Sequence, residues 1–231
     1  MLELSDVSAS YGHGRALRHV SLNVADGELL SVLGRNGVGK TTLLRTILGL
    51  MDRANGSIRL DGQEIGNCRT DERARAGIGY VPQGRGILPR FTVMENLHLG
   101  LFANPDAGGR LDETVFELFP MLRDHLHRLG GNLSGGQQQQ LAIARALQTA
   151  PKVILLDEPT EGIQPNIVEE IEQIIIRLNR ERGISIVLVE QNVAFAREAS
   201  QRFIIMEKGG IAASGDTGDL TEDLVHRHMT V

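Results

Sequence analysis

The sequence has little of several features that mark other classes of protein. Cys68 is its only cysteine, so no internal disulfide can form and the chain suits a reducing compartment. It has no basic excess, since the formal net charge is −5 over 231 residues, which argues against a nucleic-acid binder. No apolar run is long enough for a signal peptide or a membrane span. If the protein serves a membrane, we expect it to act through a separate partner chain.

The order of apolar patterns predicts an α/β core interrupted by helices. Short buried strands alternate with helices near both ends of the chain, which is typical of a mainly parallel sheet covered on both faces. At the start of the chain, apolar residues alternate with polar ones, and this pattern predicts an additional antiparallel β subdomain. We expect one domain over 1–231, with a core of 1–83 and 151–231 and an inserted helical subdomain of 84–150. The predicted helices of that insertion are Val93–Leu101, Leu111–Phe119 and Gly136–Leu147.

A phosphate-binding loop is the strongest single motif. The residues from Gly34 to Thr41 match G-x-x-x-x-G-K-[ST] between a buried strand and a helix. Because the chain has only three lysines, a chance match is rare. We expect Lys40 to reach the β- and γ-phosphates and the Thr41 hydroxyl to ligate Mg²⁺. The predicted nucleotide-binding residues are Gly34, Asn36, Gly37, Val38, Gly39, Lys40, Thr41 and Thr42. Kinases, GTPases, helicases and transport ATPases all remain open at this point.

Two carboxylates follow a second buried strand. The apolar run Val153–Leu156 leads directly into Asp157 and Glu158, and ligands gather at the carboxyl ends of parallel strands. We expect Asp157 to hold Mg²⁺ through water and Glu158 to act as general base on the attacking water. The alternative is a solvated turn, which Pro159 would suit.

A second candidate anion site opens the last helix of the insertion. In Leu133–Gln137, Ser134 is a good N-cap, and Gly135 and Gly136 expose backbone N–H groups at the positive end of the helix. Alone, the segment would be a plain capped helix. Because one triphosphate cannot easily use two such sites of the same molecule, we expect two chains to pair head to tail. Ser134, Gly135, Gly136 and Gln137 would then meet the nucleotide of the other chain.

Taken together and in this order, these motifs resemble the ATP-binding cassette family over essentially the whole chain. The resemblance implies an ATPase that uses ATP and Mg²⁺. It also implies that Tyr11 stacks on adenine and that Gln83 touches Mg²⁺ and water and links to the helical subdomain. Many members have a γ-phosphate-sensing histidine where this chain has Gln191, which can donate an N–H but cannot become charged. Many also have an aspartate where this chain has Gln164.

Finer similarities point to importers with separate permeases. Tyr80–Arg85, Leu133–Leu141, Thr160–Pro165 and Glu190–Asn192 resemble the second ATPase of hydrophobic-amino-acid-type importers, in particular their urea-uptake relatives. The alternative is a branched-chain amino-acid importer. The resemblance implies two transmembrane permeases, a second ATPase subunit or a homodimer, and a solute-binding protein, with the ATPase on the cytoplasmic face of the inner membrane.

The candidate permease contacts lie between residue 83 and the end of the helical subdomain. They are Phe91, Leu97 and Leu101, with core packing as the alternative for each.

Other classes are weighed against this one. A non-transport cassette ATPase of DNA repair or translation would usually have a coiled-coil insertion or two cassettes. A small-molecule kinase would lack Leu133–Gln137, and a regulatory switch would not need Glu158. The pairs His125/His127 and His226/His228 lack a third spaced ligand, so we expect solvated helix faces rather than metal sites. The charge run Asp71–Arg75 is likewise predicted to be a solvated helix face.

Overall fold

The computed structural model describes residues 1–12 and 14–229. The strands are β1 (Leu2–Tyr11), β2 (Gly14–Val24), β3 (Leu29–Leu33), β4 (Arg53–Leu60), β5 (Gln63–Glu64), β6 (Ile78–Val81), β7 (Val153–Asp157), β8 (Ser185–Val189), β9 (Arg202–Glu207) and β10 (Gly210–Asp216). The α-helices are α1 (Lys40–Ile47), α2 (Thr70–Ala76), α3 (Val93–Gly100), α4 (Val115–Leu118), α5 (Pro120–Asp124), α6 (Gly135–Leu147), α7 (Pro165–Arg180), α8 (Val193–Ala199) and α9 (Glu222–Met229). Short 3₁₀ helices cover Leu101–Ala103, Pro105–Ala107, Gly130–Asn132 and Thr217–Asp219.

Two sheets organise the fold. The six-stranded sheet has the order β10-β9-β3-β8-β7-β6, in which all neighbours pair in parallel except β10, which runs antiparallel to β9. The four-stranded sheet, β2-β1-β4-β5, is antiparallel throughout. The predicted fold, an α/β core with a mainly parallel sheet, an N-terminal antiparallel sheet and inserted helices, is confirmed.

The central strands bring the two chemical motifs to one edge of the sheet. Every residue of β3, β7 and β8 is buried, as their uninterrupted apolar sequences predict for strands covered on both faces. Strand β8 lies between the other two, and its Val189 pairs with Val32 on one side and with Asp157 on the other. The phosphate loop and the acidic strand end therefore emerge at the same edge of the sheet, one strand apart.

The helices between β6 and β7 depart from the predicted pattern at one place. The helix predicted over Leu111–Phe119 is wrong, because the structure forms only α4 (Val115–Leu118). The Asp112 carboxylate accepts from the backbone N–H and hydroxyl of Thr114, a local turn that competes with helix. Pro120 then begins α5, and the residue before a proline disfavours helical backbone.

Two further predictions concern the exposure of side chains, namely the candidate permease contacts and the charged face of α2. Leu97 is fully buried in the core and Leu101 partly buried, whereas the side chain of Phe91 remains 42% exposed. The predicted solvated face of α2 is wrong at Arg73, which is only 4% exposed. Its guanidinium donates to the carbonyl oxygens of Thr46 and Ile47 at the end of α1. Among the described residues, no helix combines the length and the apolar character needed to cross a bilayer.

Candidate active site

A cleft of about 630 Å³ lies over the phosphate loop. Its walls bring together residues from distant parts of the sequence: Tyr11, Asn36–Thr42, Gln83 and Glu158. This volume lies within the usual range of small-molecule sites, roughly 300–1,000 Å³. Most of the predicted nucleotide-binding residues therefore share one surface.

The phosphate loop is shaped by glycines in conformations that other residues avoid. Gly34 has φ 144°, and a Cβ there would lie 2.6 Å from the carbonyl oxygen of Met206. Gly39 has φ 113° and precedes α1, which begins at Lys40. The Lys40 ammonium is 5% exposed and donates to the carbonyl oxygens of Gly34 at 2.8 Å and Arg35 at 3.2 Å. The loop thus wraps around its own lysine at the positive end of a helix, the arrangement that binds phosphate.

Asp157 ends β7 beneath the loop. Its side chain is fully buried, and its Oδ1 accepts from the Thr41 hydroxyl at 3.1 Å. Its Oδ2 has no hydrogen-bond partner among the described residues. Burial raises the pKa of Asp157, although the Thr41 hydrogen bond opposes this. A buried carboxylate oxygen without a partner, beside a hydroxyl, fits a hard cation such as Mg²⁺.

That cation would need further ligands. Within residues 1–12 and 14–229, no three His, Cys, Asp or Glu side chains converge as a metal site. An ion at Asp157 and Thr41 would therefore take its remaining oxygens from water and from a phosphate ligand, as Mg²⁺ commonly does.

Glu158 connects the lysine of the loop with the segment after β8. It is 9% exposed and has φ 47°, a left-handed conformation uncommon outside glycine. Its Oε1 lies 3.3 Å from the Lys40 ammonium and accepts from the Gln191 side-chain amide at 3.0 Å. The two predicted catalytic residues are thus in direct contact.

Glu190 is a residue that the sequence prediction did not single out. It is 4% exposed and accepts from the Thr160 hydroxyl at 2.8 Å and from the backbone N–H groups of Gln191 and Asn192. Burial raises the pKa of Glu190. It ties the segment carrying Gln191 to the segment that follows Glu158. An acid directly after a buried strand was the signal available in the sequence, the same one that identified Asp157.

Gln83 and Tyr11 lie at the margins of the cleft. The Gln83 amide donates to Glu161 Oε2 at 2.7 Å, so in this structure its hydrogen bond goes to the loop after Glu158. Tyr11 is 43% exposed, and the Arg45 guanidinium lies 5.8 Å from the centre of its ring, within range of a cation–π contact. Gln164, at the position of the usual aspartate, is the N-cap of α7.

The segment Ser134–Gln137 does not line this cleft. The Ser134 hydroxyl accepts from the Gln137 N–H at 3.3 Å, and the Gln137 side chain accepts from the Ser134 N–H at 2.9 Å. This capping box fixes the start of α6. A Cβ at Gly136 would lie 2.3 Å from Ile167 Cγ2, so glycine lets α6 pack closely on α7. The capped start of α6 is therefore present as expected, but it lies outside the cleft over the phosphate loop, and its binding of phosphate stays a prediction.

Basic side chains in the cleft were also missed. Arg15, Arg18 and Lys208 line it together with the phosphate loop. Two of them follow Tyr11 closely in sequence, but the third comes from the β9–β10 turn. Only the fold brings that turn beside the loop, where the Gly209 N–H donates to the Val38 carbonyl oxygen.

The fold and the cleft define a P-loop nucleotide hydrolase. The ABC transporter family matches residues 17–161, and the chain belongs to this family. It is 42% identical over 219 residues to the high-affinity branched-chain amino acid transport ATP-binding protein BraG of Pseudomonas aeruginosa, covering 94% of this chain and 93% of that protein. It is 35% identical over 224 residues to the probable branched-chain amino acid transport ATP-binding protein LivF of Archaeoglobus fulgidus, covering 96% and 94%.

Solved structures agree with this assignment. The ATP-binding cassette MJ0796, in a dimeric post-hydrolysis state bound to ADP and Pi, superposes with a TM-score of 0.82 at 30% identity. The match covers 94% of this chain and 99% of that one. The chain is therefore an ABC ATPase that binds and hydrolyses ATP.

Proposed function

We propose that this chain is the ATPase subunit of an importer of branched-chain amino acids. The observation that carries the proposal is the 42% identity to BraG over nearly the full length of both chains. Urea, the solute that the sequence first suggested, appears in the name of neither BraG nor LivF. Uptake of urea is therefore the alternative outcome of the uptake test described below.

The cleft supports a division of roles in ATP hydrolysis. Lys40 and the loop N–H groups would bind the phosphates, and Tyr11 would stack on the adenine. Thr41, Asp157 and Gln83 would hold Mg²⁺, which neutralises charge on the phosphates when bound. The unpartnered Asp157 Oδ2 supports this placement.

Glu158 and Gln191 are proposed as the catalytic pair. Glu158 would orient and deprotonate the attacking water, a role that its contact with the Lys40 ammonium at 3.3 Å supports. The Gln191 amide, now bonded to Glu158, would donate to the γ-phosphate. Gln191 cannot become charged, so its donation to the phosphate would not depend on pH.

Dimerisation would complete the site. Because Ser134–Gln137 lies apart from the cleft of its own chain, we infer that it meets the nucleotide of a second ATPase subunit. The exposed N–H groups at the start of α6 suit an anion. Whether that subunit is another copy or a different chain does not change this geometry.

The helical subdomain carries the proposed permease contact. Leu88, Phe91 and Leu129 are each about 40% exposed. They adjoin one another, since the Phe91 N–H donates to the Leu88 carbonyl and Thr92 pairs with Leu129. Exposed apolar groups that adjoin in this way mark interaction surfaces. We propose that transmembrane permeases dock here at the cytoplasmic face of the inner membrane, with a solute-binding protein on the far side.

The test is uptake of labelled leucine and labelled urea, at micromolar solute, by cells that carry the native chain or Glu158→Gln. Glu169→Gln is the matched control, since it makes the same chemical change at an exposed position of α7. Loss of leucine uptake alone in Glu158→Gln supports the proposal. Loss of urea uptake alone reassigns the solute, and no loss of either refutes both solutes.

A further inference from the structure

The turn Gly84–Gly86, directly after Gln83, has an unusual backbone. Its three residues have φ angles of 75°, 74° and 62°. The outer two are glycines, for which this region is accessible, but the middle one is Arg85, for which it is disfavoured. Strained residues of this kind persist only where their surroundings hold them, and they are concentrated at functional sites.

A side chain of helix α6, that of Arg145, holds this turn by binding the backbone of the turn. The Arg145 guanidinium donates to the carbonyl oxygens of Gly86 at 2.9 Å and of Arg85 at 3.4 Å. Arg145 lies seven residues after Gln138, so both are on one face of α6. The turn is thereby fixed against that face.

The Arg85 side chain then reaches two motifs at once. It donates to Gln138 Oε1 in the first turn of α6 at 3.1 Å and to the Gly162 carbonyl oxygen at 3.4 Å. A Cβ on Gly135 would lie 3.0 Å from this guanidinium, so Arg85 packs directly against the start of α6. One planar group therefore connects the candidate second phosphate site with the loop that follows Glu158.

The same turn reaches that loop a second time. The Gln83 amide donates to Glu161, one residue before the Gly162 carbonyl that Arg85 contacts. Any ligand that takes the Gln83 amide away from Glu161 must loosen one of these two connections. The other, through Arg85, would then carry the displacement to α6.

We propose that Arg85 is a positioning residue that couples nucleotide bound at the phosphate loop to the start of α6. It keeps Ser134–Gln137 in register with the loop after Glu158 and transmits the release of Gln83 to that segment. The role requires the planar fork of arginine, because a lysine ammonium on a flexible stem cannot hold two acceptors in fixed directions. The inference rests on the proposal that Gln83 meets the magnesium–nucleotide complex.

Hydrogen exchange of the purified full chain tests this coupling, with Mg²⁺ and the non-hydrolysable β,γ-imido analogue of ATP as the probe. In the native chain, the analogue should change the exchange of a peptide spanning 133–141. In Arg85→Lys and Arg85→Gln, that change should shrink roughly tenfold to a hundredfold, the range for one lost hydrogen bond to a charged group. The affinity for the analogue should stay within about twofold, because Arg85 does not line the cleft.

Two further variants separate coupling from simple stabilisation. Arg90→Gln removes an exposed arginine of the same connecting segment and should respond as the native chain does. Gln138→Leu removes the α6 acceptor together with the amide bonds to the Gly130 and Leu133 carbonyl oxygens, so a lost response there supports the inference only if Arg85→Lys loses it too. A lower unfolding midpoint with a full nucleotide response would show a merely structural role.

Three results would overturn the inference. These are a full exchange response in both Arg85 variants, no response in the native chain, or a loss of analogue affinity that accounts for the lost response. None of them involves solute, so the proposed transport function would be judged separately by the uptake assay.

Discussion

Arg73 offers the sharpest test of stability. Its charged neighbours in the sequence predict an exposed side chain, but the structure buries it. Its guanidinium donates to four carbonyl oxygens, those of Thr46, Ile47, Gly66 and Cys68, at 2.6–3.0 Å. Two of these end α1, the helix that begins at the phosphate loop, where a cation also complements the helix dipole. Burial lowers the pKa of Arg73, but the guanidinium stays protonated, so its buried N–H groups need these acceptors.

The variant Arg73→Met keeps most of the apolar stem and removes all four bonds. Each orphaned carbonyl costs about 1–3 kcal/mol. Because water or backbone can still reach some of them, we expect a loss on the order of 3 kcal/mol in the free energy of unfolding. For a chain of this size the melting temperature should fall by about 6–12 °C.

The control is Arg75→Met on the same helix. Arg75 is 52% exposed and pairs with Asp71 one helical turn earlier, an interaction worth about 0.3–0.5 kcal/mol. Denaturant unfolding of the two variants should give a clearly lower midpoint for Arg73→Met than for Arg75→Met. Equal midpoints would refute the argument that the Arg73 hydrogen bonds stabilise the end of α1.

Three further predictions concern the active site. Glu158→Gln should reduce ATP hydrolysis by about 10²-fold or more while keeping nucleotide affinity, as measured by phosphate release and by equilibrium binding of a fluorescent nucleotide. The native chain should show no histidine-like step in hydrolysis near pH 6–7, whereas Gln191→His should introduce one; a native step that disappears in Gln191→Ala would contradict this. Burial raises the folded-state pKa of Glu190, so the native chain should lose stability as pH rises from the ordinary glutamate pKa through that raised value. Unfolding midpoints of Glu190→Gln should fall less over the same range, and parallel curves would show that Glu190 does not titrate there.

The features predicted well from the sequence are those that depend only on residues close together in it. The buried strands, the loop from Gly34 to Thr41 and the N-cap at Ser134 each follow from local residue types. Their order then restricted the topology, because parallel strands bring their carboxyl ends together. The comparisons with known proteins confirm the family and the fold, while the individual roles of the site residues remain predictions.

What the sequence missed depends on contacts between distant segments. Arg73 looks like any residue of a charged helix until α1 is packed against it, and Lys208 joins the cleft only through the β9–β10 turn. The helix predicted before Pro120 failed for a different reason, since the Asp112 turn competes locally with helical backbone. The solute could not be deduced from the site, because no cleft residue would contact it.

Lys40 and Glu158 are paired with each other in this structure, and this suggests why hydrolysis would depend on bound nucleotide. The Lys40 ammonium is held by two loop carbonyls and by Glu158, whose same oxygen also accepts from Gln191. Phosphate that takes over the Lys40 ammonium would release the Glu158 carboxylate from this ion pair, so that the carboxylate could turn to the attacking water. Gln83 likewise gives its amide to Glu161 until another acceptor competes for it. Nucleotide binding would therefore free Glu158 from Lys40 and Gln83 from Glu161 in the same step, so that both side chains become available only when the nucleotide is in place.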